Sequence, residues 1–348
     1  MIKVVGVSLM VVVLYALFLS TGPEAWSPIA QQALGERIGI AGIVVLGVAP
    51  VIISGGIDLS IGSMLGFSAV LFALLLGFKD FPFWVFDLPI YILTAIVPDW
   101  FPRDFLFCLP PLLFAMAILI AFPLLGALQG LLITKTNLQP FLVTLCGLFI
   151  VRGFARVTTR YVTGASRNVG TGQTKWEIEP LAYLAEGTVF GVPMPLFVFL
   201  GLAVVVGLVL HRTVFGRYLY AIGSNEQAAR YAGIPTDRYK IFAYMWCSFM
   251  AGFAGIQYML RIGSASPPTV GSWIELYAIT GAVLGGCSLR GGDGHIIGIV
   301  MGAVILPLLW AVCSFAGIPD DMREFELGVA LLIGTVGDVI LRRRTGSL

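Results

Sequence analysis

Charge is scarce in this chain of 348 residues: Asp, Glu, Lys and Arg make up 11% of it, against 58% for apolar residues. A water-soluble domain carries roughly 25% charged and about 45–50% apolar residues. With a mean hydropathy of +0.95, too little polar surface remains to cover a globule, and the apolar excess must face lipid. The net charge is only +2, and no basic stripe is interleaved with aromatics, which argues against a nucleic-acid partner.

Histidine and cysteine are also thin. His211 and His295 lie about eighty residues apart, neither beside a Cys or a carboxylate cluster, so no metal site is expected. Cys108, Cys146, Cys247, Cys287 and Cys313 form no CxxC pair and sit in or beside apolar runs, as small core hydrophobes do. No lysine follows a glycine anywhere, which removes the GxxxxGK[ST] phosphate loop. Any ATP used must be hydrolysed by another polypeptide. Nor do the few polar residues within the apolar runs assemble a nucleophile, a base and an orienting group, so no enzyme is expected.

What the chain does have is apolar runs of bilayer length, about 20 residues each. Ten candidates fall near residues 3–20, 38–54, 61–77, 109–133, 140–158, 194–210, 241–261, 274–289, 295–313 and 325–341. Lipid cannot satisfy exposed backbone groups, and nothing here alternates like a barrel strand, so each run is expected to be helical. The fold class is therefore all-α and polytopic, with about ten transmembrane helices in a single domain over residues 1–348. The first run also suits a signal peptide, but it is long for an apolar signal core and no A-x-A-like site follows closely. Residues 88–97 are apolar but too short to cross, and Trp84 and Trp100 flank them, as expected of an interfacial or re-entrant segment.

Basic residues set the orientation. With the N-terminus inside, Lys3, Lys135, Arg212, Arg217, Arg230, Arg238, Lys240, Arg290 and Arg342–Arg344 fall in the shorter loops of one side. Their density places both termini in the cytoplasm. Arg152 lies well inside the fifth run and is expected to snorkel outward. Glycines four apart, as in Gly62/Gly66, Gly281/Gly285 and Gly294/Gly298/Gly302, predict close backbone packing between helices.

Three stretches ask for more than packing. The longest loop on the cytoplasmic side, about 211–240, encodes a short helix of about eight residues, ~12 Å long. Ser224 and Gln227 have capping-box spacing, Glu226 and Arg230 suit the helix dipole, Gly233 fits a left-handed C-terminal position, and Pro235 blocks continuation. So short a helix needs outside support. In the second stretch, Ser54–Ser63 (SGGIDLSIGS), Gly55 and Gly56 break the helix, and Asp58 or Ser60 can cap the next one. The third, Gly281–Ala303, has a glycine turn with GxGxxxG spacing and no preceding strand, which excludes a dinucleotide fingerprint. Cys287 and Arg290 in that turn have no explanation in the sequence.

The segment GRYLYAIGSNEQAARYAGI resembles the EAA-type coupling loop of ATP-binding-cassette importer permeases of the sugar branch that serves ribose, xylose and galactose. Ser224 falls within that segment, and Glu226, Ala228, Ala229 and Gly233 match the motif. GGIDLS is similar to a second signature of those permeases, and the turn at Gly285, Gly286, Ser288, Leu289, Gly291 and Gly292 to a third. The likeness runs over about residues 38–341. It implies a permease subunit that takes a monosaccharide across the bacterial cytoplasmic membrane by alternating access. The chain itself would bind no cofactor; ATP and Mg would sit on a partner ATPase docked at the coupling residues. It further implies a second permease chain, identical or not, and an extracytoplasmic sugar-binding protein docked on outer loops where Glu177, Glu179, Glu186, Asp320 and Asp321 add acidic surface. Gly55, Gly56, Asp58 and Ser60 would line or gate the route, and the third turn would lie close under the coupling helix. The competing reading, an ion-coupled secondary carrier, wants carboxylates in mid-membrane. Here Asp58 lies near a loop, Glu275 starts a span and Asp338 sits beside the arginine cluster at 342–344.

Overall fold

The computed structural model describes residues 2–77, 109–164, 168–170, 178–322, 324–332 and 336. In chain order the helices are α1 (Ile2–Ser20), α2 (Pro28–Ile53), α3 (Ile61–Gly77), α4 (Leu109–Thr136), α5 (Pro140–Thr163), α6 (Glu179–Glu186), α7 (Met194–Arg212), α8 (Val214–Ser224), α9 (Glu226–Tyr231), α10 (Thr236–Ile262), α11 (Ile274–Leu284) and α12 (Ile296–Phe315). A further helix, α13, covers residues 324–332. The only strands among the described residues are two-residue pieces: β1 (Val169–Gly170), β2 (Thr188–Val189), β3 (Val192–Pro193) and β4 (Ser264–Ala265). β1 pairs antiparallel with β4, and β2 with β3. The chain is an all-helical, polytopic membrane protein. Residues 88–97 lie outside the described residues, as does most of the stretch after 332.

Local chemistry sets the helix ends. Ser27 caps α2 by accepting a hydrogen bond from the Ala30 amide, and Pro28 opens the helix, where its missing N–H costs nothing. Gly164 and Gly263, both left-handed, end α5 and α10. α2 and α10 form the centre. α2 is buried along most of its length, and α10 packs on α4, α3 and α2. By contrast α4, α5 and α7 turn Leu131, Phe149, Ile150, Val204 and Leu208 outward, the apolar surface that lipid requires. Phe18 of α1 meets Phe315 of α12 edge-on at 5.2 Å, so the first apolar run packs into the bundle. Pro50 leaves the carbonyl of Leu46 without its helical partner, and the Trp246 indole of α10 donates to it at 3.2 Å.

Two expectations are corrected. The run at 274–289 is helical only over Ile274–Leu284, about 16 Å, too short to cross. After β4 the chain turns at Ser266–Ser272 and passes over α3, where Gly62 and Gly66 accept the backbone of Val270 and Gly271, and α11 begins part-way down the bundle. The Gly62/Gly66 stripe thus receives a loop rather than a helix. Gly281/Gly285 and Gly298/Gly302 do bring α11 and α12 into backbone contact, as a side chain at any of the four would meet the opposite helix. Second, Arg152 does not snorkel. Its guanidinium turns into the bundle and donates to the Gly271 carbonyl at 3.4 Å, on the approach to α11.

Candidate functional site

One end of the bundle, the loop end, gathers all three stretches. α8 is capped by Thr213, whose hydroxyl accepts from the Gly216 amide, and runs from Val214 to Ser224. Ser224 is therefore the last residue of α8. Its hydroxyl donates back to the Tyr220 carbonyl at 2.9 Å. The cap of α9 is Asn225, whose side chain accepts the Ala228 amide at 2.9 Å, so the expected Ser224–Gln227 capping box does not form. The helix is six residues, not eight. Asn and Ser cap about equally well, and the extended backbone of Asn225 (φ −161°, ψ 101°) decides between them. Gly233 is left-handed at φ +83°, and its amide and that of Ile234 return to Arg230 and Ala229, as expected for the C-terminal stop.

Ion pairs hold this short helix to the bundle. Glu226 pairs with Lys240 of α10 and, at 3.5 Å, with Arg230. Arg230 reaches Asp237 at 2.9 Å, and Asp237 takes Lys135 of α4 at 3.3 Å. Of the matched motif residues, Ala229 is buried against this support while Ala228 and Gly233 face outward. Tyr231 beside them is 91% exposed. The tether and the free face are separate sets of side chains.

Immediately before α9 lies a contact that sequence reasoning missed. Gly223 packs against the Ile53 carbonyl at the end of α2 and against the Gly292 amide, and that amide donates to the same carbonyl at 2.9 Å. Gly55, Gly291 and Gly292 are left-handed, at φ +82°, +85° and +75°. Gly291 fits between Gly223 and Gly55, where a Cβ would come within 2.8 Å of both. Only glycine meets both the steric and the conformational demand. The remaining turn residues behave as one unit: Gly285 packs on Gly298, Gly286 is left-handed, and buried Ser288 accepts the amides of Arg290 and Gly291. Cys287 is fully buried against Gly294, which accounts for its small size; Arg290 is exposed and nothing in the structure explains it. The Tyr220 hydroxyl donates to the Gly294 carbonyl at 2.6 Å. Burial, with Cys287 and Asp293 nearby, pushes that hydroxyl well above its ordinary range, so it stays a donor.

The two histidines, distant in sequence, stack at 4.6 Å. His211 accepts the Ile296 amide and His295 the Ile297 amide, so together they cap α12. Among the described residues no group of three or more His, Cys, Asp or Glu could hold a metal ion.

Behind the break, Asp58 and Ser60 are fully buried, deeper than a loop position predicts. One Asp58 oxygen accepts the Ser60 amide at 2.8 Å and its hydroxyl at 2.7 Å, and Gln129 of α4 donates to Ser60 at 3.0 Å. Gly56 is buried beneath the Tyr244 hydroxyl. Asp58 thus ties the start of α3 to α4. The Cys247 thiol of α10 also lies against the Asp58 carboxylate. Glu275 is also buried, at the start of α11, with one oxygen unpartnered. Buried carboxylates are therefore present, although the sequence placed them at loop and span ends.

An apolar helical bundle with a tethered, outward-facing short helix beside a broken helix is the architecture of a membrane permease component. The comparisons agree. A family model described as "Branched-chain amino acid transport system / permease component" matches residues 36–335. The chain belongs to that family of membrane permease components. It is 31% identical over 303 residues to the ribose import permease protein RbsC of Escherichia coli K12, covering 87% of this chain and 83% of that one. To the ribose import permease protein of Bacillus subtilis 168 it is 30% identical over 321 residues, covering 91% and 86%. To the autoinducer 2 import system permease protein LsrD of Photorhabdus luminescens it is 31% identical over 296 residues, covering 85% and 79%. No solved structure gave a significant match.

Proposed function

We propose that this chain is the membrane-spanning subunit of an ATP-driven importer for a monosaccharide of the ribose, xylose and galactose class or a related furanose. The observation that carries the reading is the division of labour at α9. One face is fixed to α10 by the pairs Glu226–Lys240 and Arg230–Asp237, and Asp237 in turn takes Lys135 of α4. The other, with Gln227, Ala228, Tyr231 and Ala232, is left to solvent. A helix this short needs tertiary support, and the ion pairs supply it on one side while leaving the other side free for a partner to grip. In this reading the loop end is cytoplasmic, and a partner ATPase holding ATP and Mg docks there. At the opposite end Glu179 and Glu186 of α6 and Phe190 at the β2–β3 turn, 99% exposed, offer an acidic and aromatic surface to a sugar-binding protein. Two permease chains enclose one route in the inner membrane, and the partners shift the population between inward- and outward-open states. The sugar reading rests on the ribose and autoinducer 2 relatives taken together with the three matched stretches.

Glu226→Lys would break the pairs with Lys240 and Arg230, so it is best matched with Tyr231→Ala, which alters the free face and leaves every ion pair in place. Both variants should reach the membrane, and both should lose sugar-stimulated ATPase and uptake in vesicles carrying the whole assembly. Undiminished uptake in both would sink the reading. Uptake abolished by an uncoupler yet indifferent to ATP would point instead to an ion-driven carrier.

A further inference from the structure

Away from the features above, the bundle surface carries a groove of about 210 Å³. Pro50 of α2, Val209 and Leu210 of α7, Phe215 of α8, and Phe242 and Trp246 of α10 line it, and all seven lining residues are apolar. The Trp246 ring is held in place by its bond to the Leu46 carbonyl. The groove is continuous with outward-facing apolar surface at Phe242, Val205 and Leu208, so in a membrane it meets acyl chains.

Its loop-end rim is basic. Arg212 follows Val209 by three residues on α7, and Arg238 precedes Phe242 by four on α10, so each lies on the stripe of its helix that feeds the groove. Both are exposed, and among the described residues neither forms an ion pair. The neighbouring Lys135, Arg230 and Lys240 are engaged by Asp237 and Glu226. Uncommitted positive charge is thus placed where an apolar groove meets the membrane surface. We propose that this groove binds an anionic phospholipid, with an acyl chain against Trp246 and the headgroup phosphate at Arg212 and Arg238. Phe215 belongs to α8, so the lipid touches the segment that leads into α9.

The test uses the full chain in vesicles containing either dibromo-phosphatidylglycerol or dibromo-phosphatidylcholine. The difference in tryptophan quenching between the wild type and W246F isolates Trp246. Two basic side chains near an anionic headgroup give a preference of about thirty-fold, so the phosphatidylglycerol should quench Trp246 at a correspondingly lower fraction. In R212Q/R238Q the two curves should merge, with quenching by the neutral lipid unchanged. Equal quenching by both lipids in the wild type, or a preference that survives the double substitution, would overturn the proposal. So would a Trp246 that neither lipid reaches, since a second copy or another protein would then cover the groove. Should W246F fail to fold, native mass spectrometry of the wild type and R212Q/R238Q decides: loss of one retained anionic lipid per chain supports the site, and equal retention refutes it.

Discussion

Gly223→Ala adds one methyl group at the place where three parts of the chain meet. The residue is helical and carries no positive φ, so the change leaves the backbone unstrained and in a helix interior gains about 0.5–1 kcal/mol. Space decides the outcome. The new Cβ would overlap the Ile53 carbonyl oxygen and the Gly292 amide, with the Ile53 carbonyl carbon 3.0 Å away. All of these neighbours are backbone, and none can rotate aside. Overpacking of this kind costs about 1–3 kcal/mol, and losing the bond from Gly292 to Ile53 adds about 1 kcal/mol. The net expectation is a destabilisation of about 1–3 kcal/mol by the same principles. Gly201→Ala in α7 is the control, because nothing lies within 4 Å of its Cβ. Thermal unfolding in detergent should place Gly223→Ala below the wild type and Gly201→Ala at or above it. The assembled transporter should hydrolyse ATP with weakened uptake in the first variant only. If the two alanine variants unfold together and transport equally, the close packing at Gly223 is wrong.

Asn225→Ala should cost about 1 kcal/mol of α9 stability, read as faster hydrogen exchange at the Ala228 amide, whereas Ser224→Ala should leave that amide unchanged. Trp246→Phe strips the Leu46 carbonyl of its donor and should cost about 1–3 kcal/mol. Pro50→Ala restores the helical N–H, so a double-mutant cycle should show coupling of about 1 kcal/mol between the two positions, and strict additivity would refute the pairing.

The spans were legible because lipid imposes a simple rule on composition: eight of the ten expected runs coincide with described helices, the run at 274–289 is helical only over Ile274–Leu284, and α13 begins the tenth. That rule is silent about where a helix begins inside an apolar run. Residues 285–289 carry no charge and extend the apolar run, but left-handed Gly286 and the bond from the Cys287 amide to Ala282 end the helix first. The site was legible in part. Glu226, Ala228, Ala229 and Gly233 came from a motif whose spacing is local. Gly223 was passed over because its partners, Ile53 and Gly292, are distant in sequence, although a glycine one residue before the last of a helix was a signal. Gln129 and Tyr244 were missed for the same reason. Arg152 was misjudged because helical register alone cannot say which face of α5 meets the loop at Gly271.

The pairing of β1 with β4 fixes a boundary on motion. β1 follows the exit of α5 and β4 the exit of α10, with Val169 opposite Ala265 and Gly170 opposite Ser264. This small ribbon straps the far ends of two otherwise separate rods. Whatever parting of the molecule admits cargo on that side must leave those two rods on the same shore.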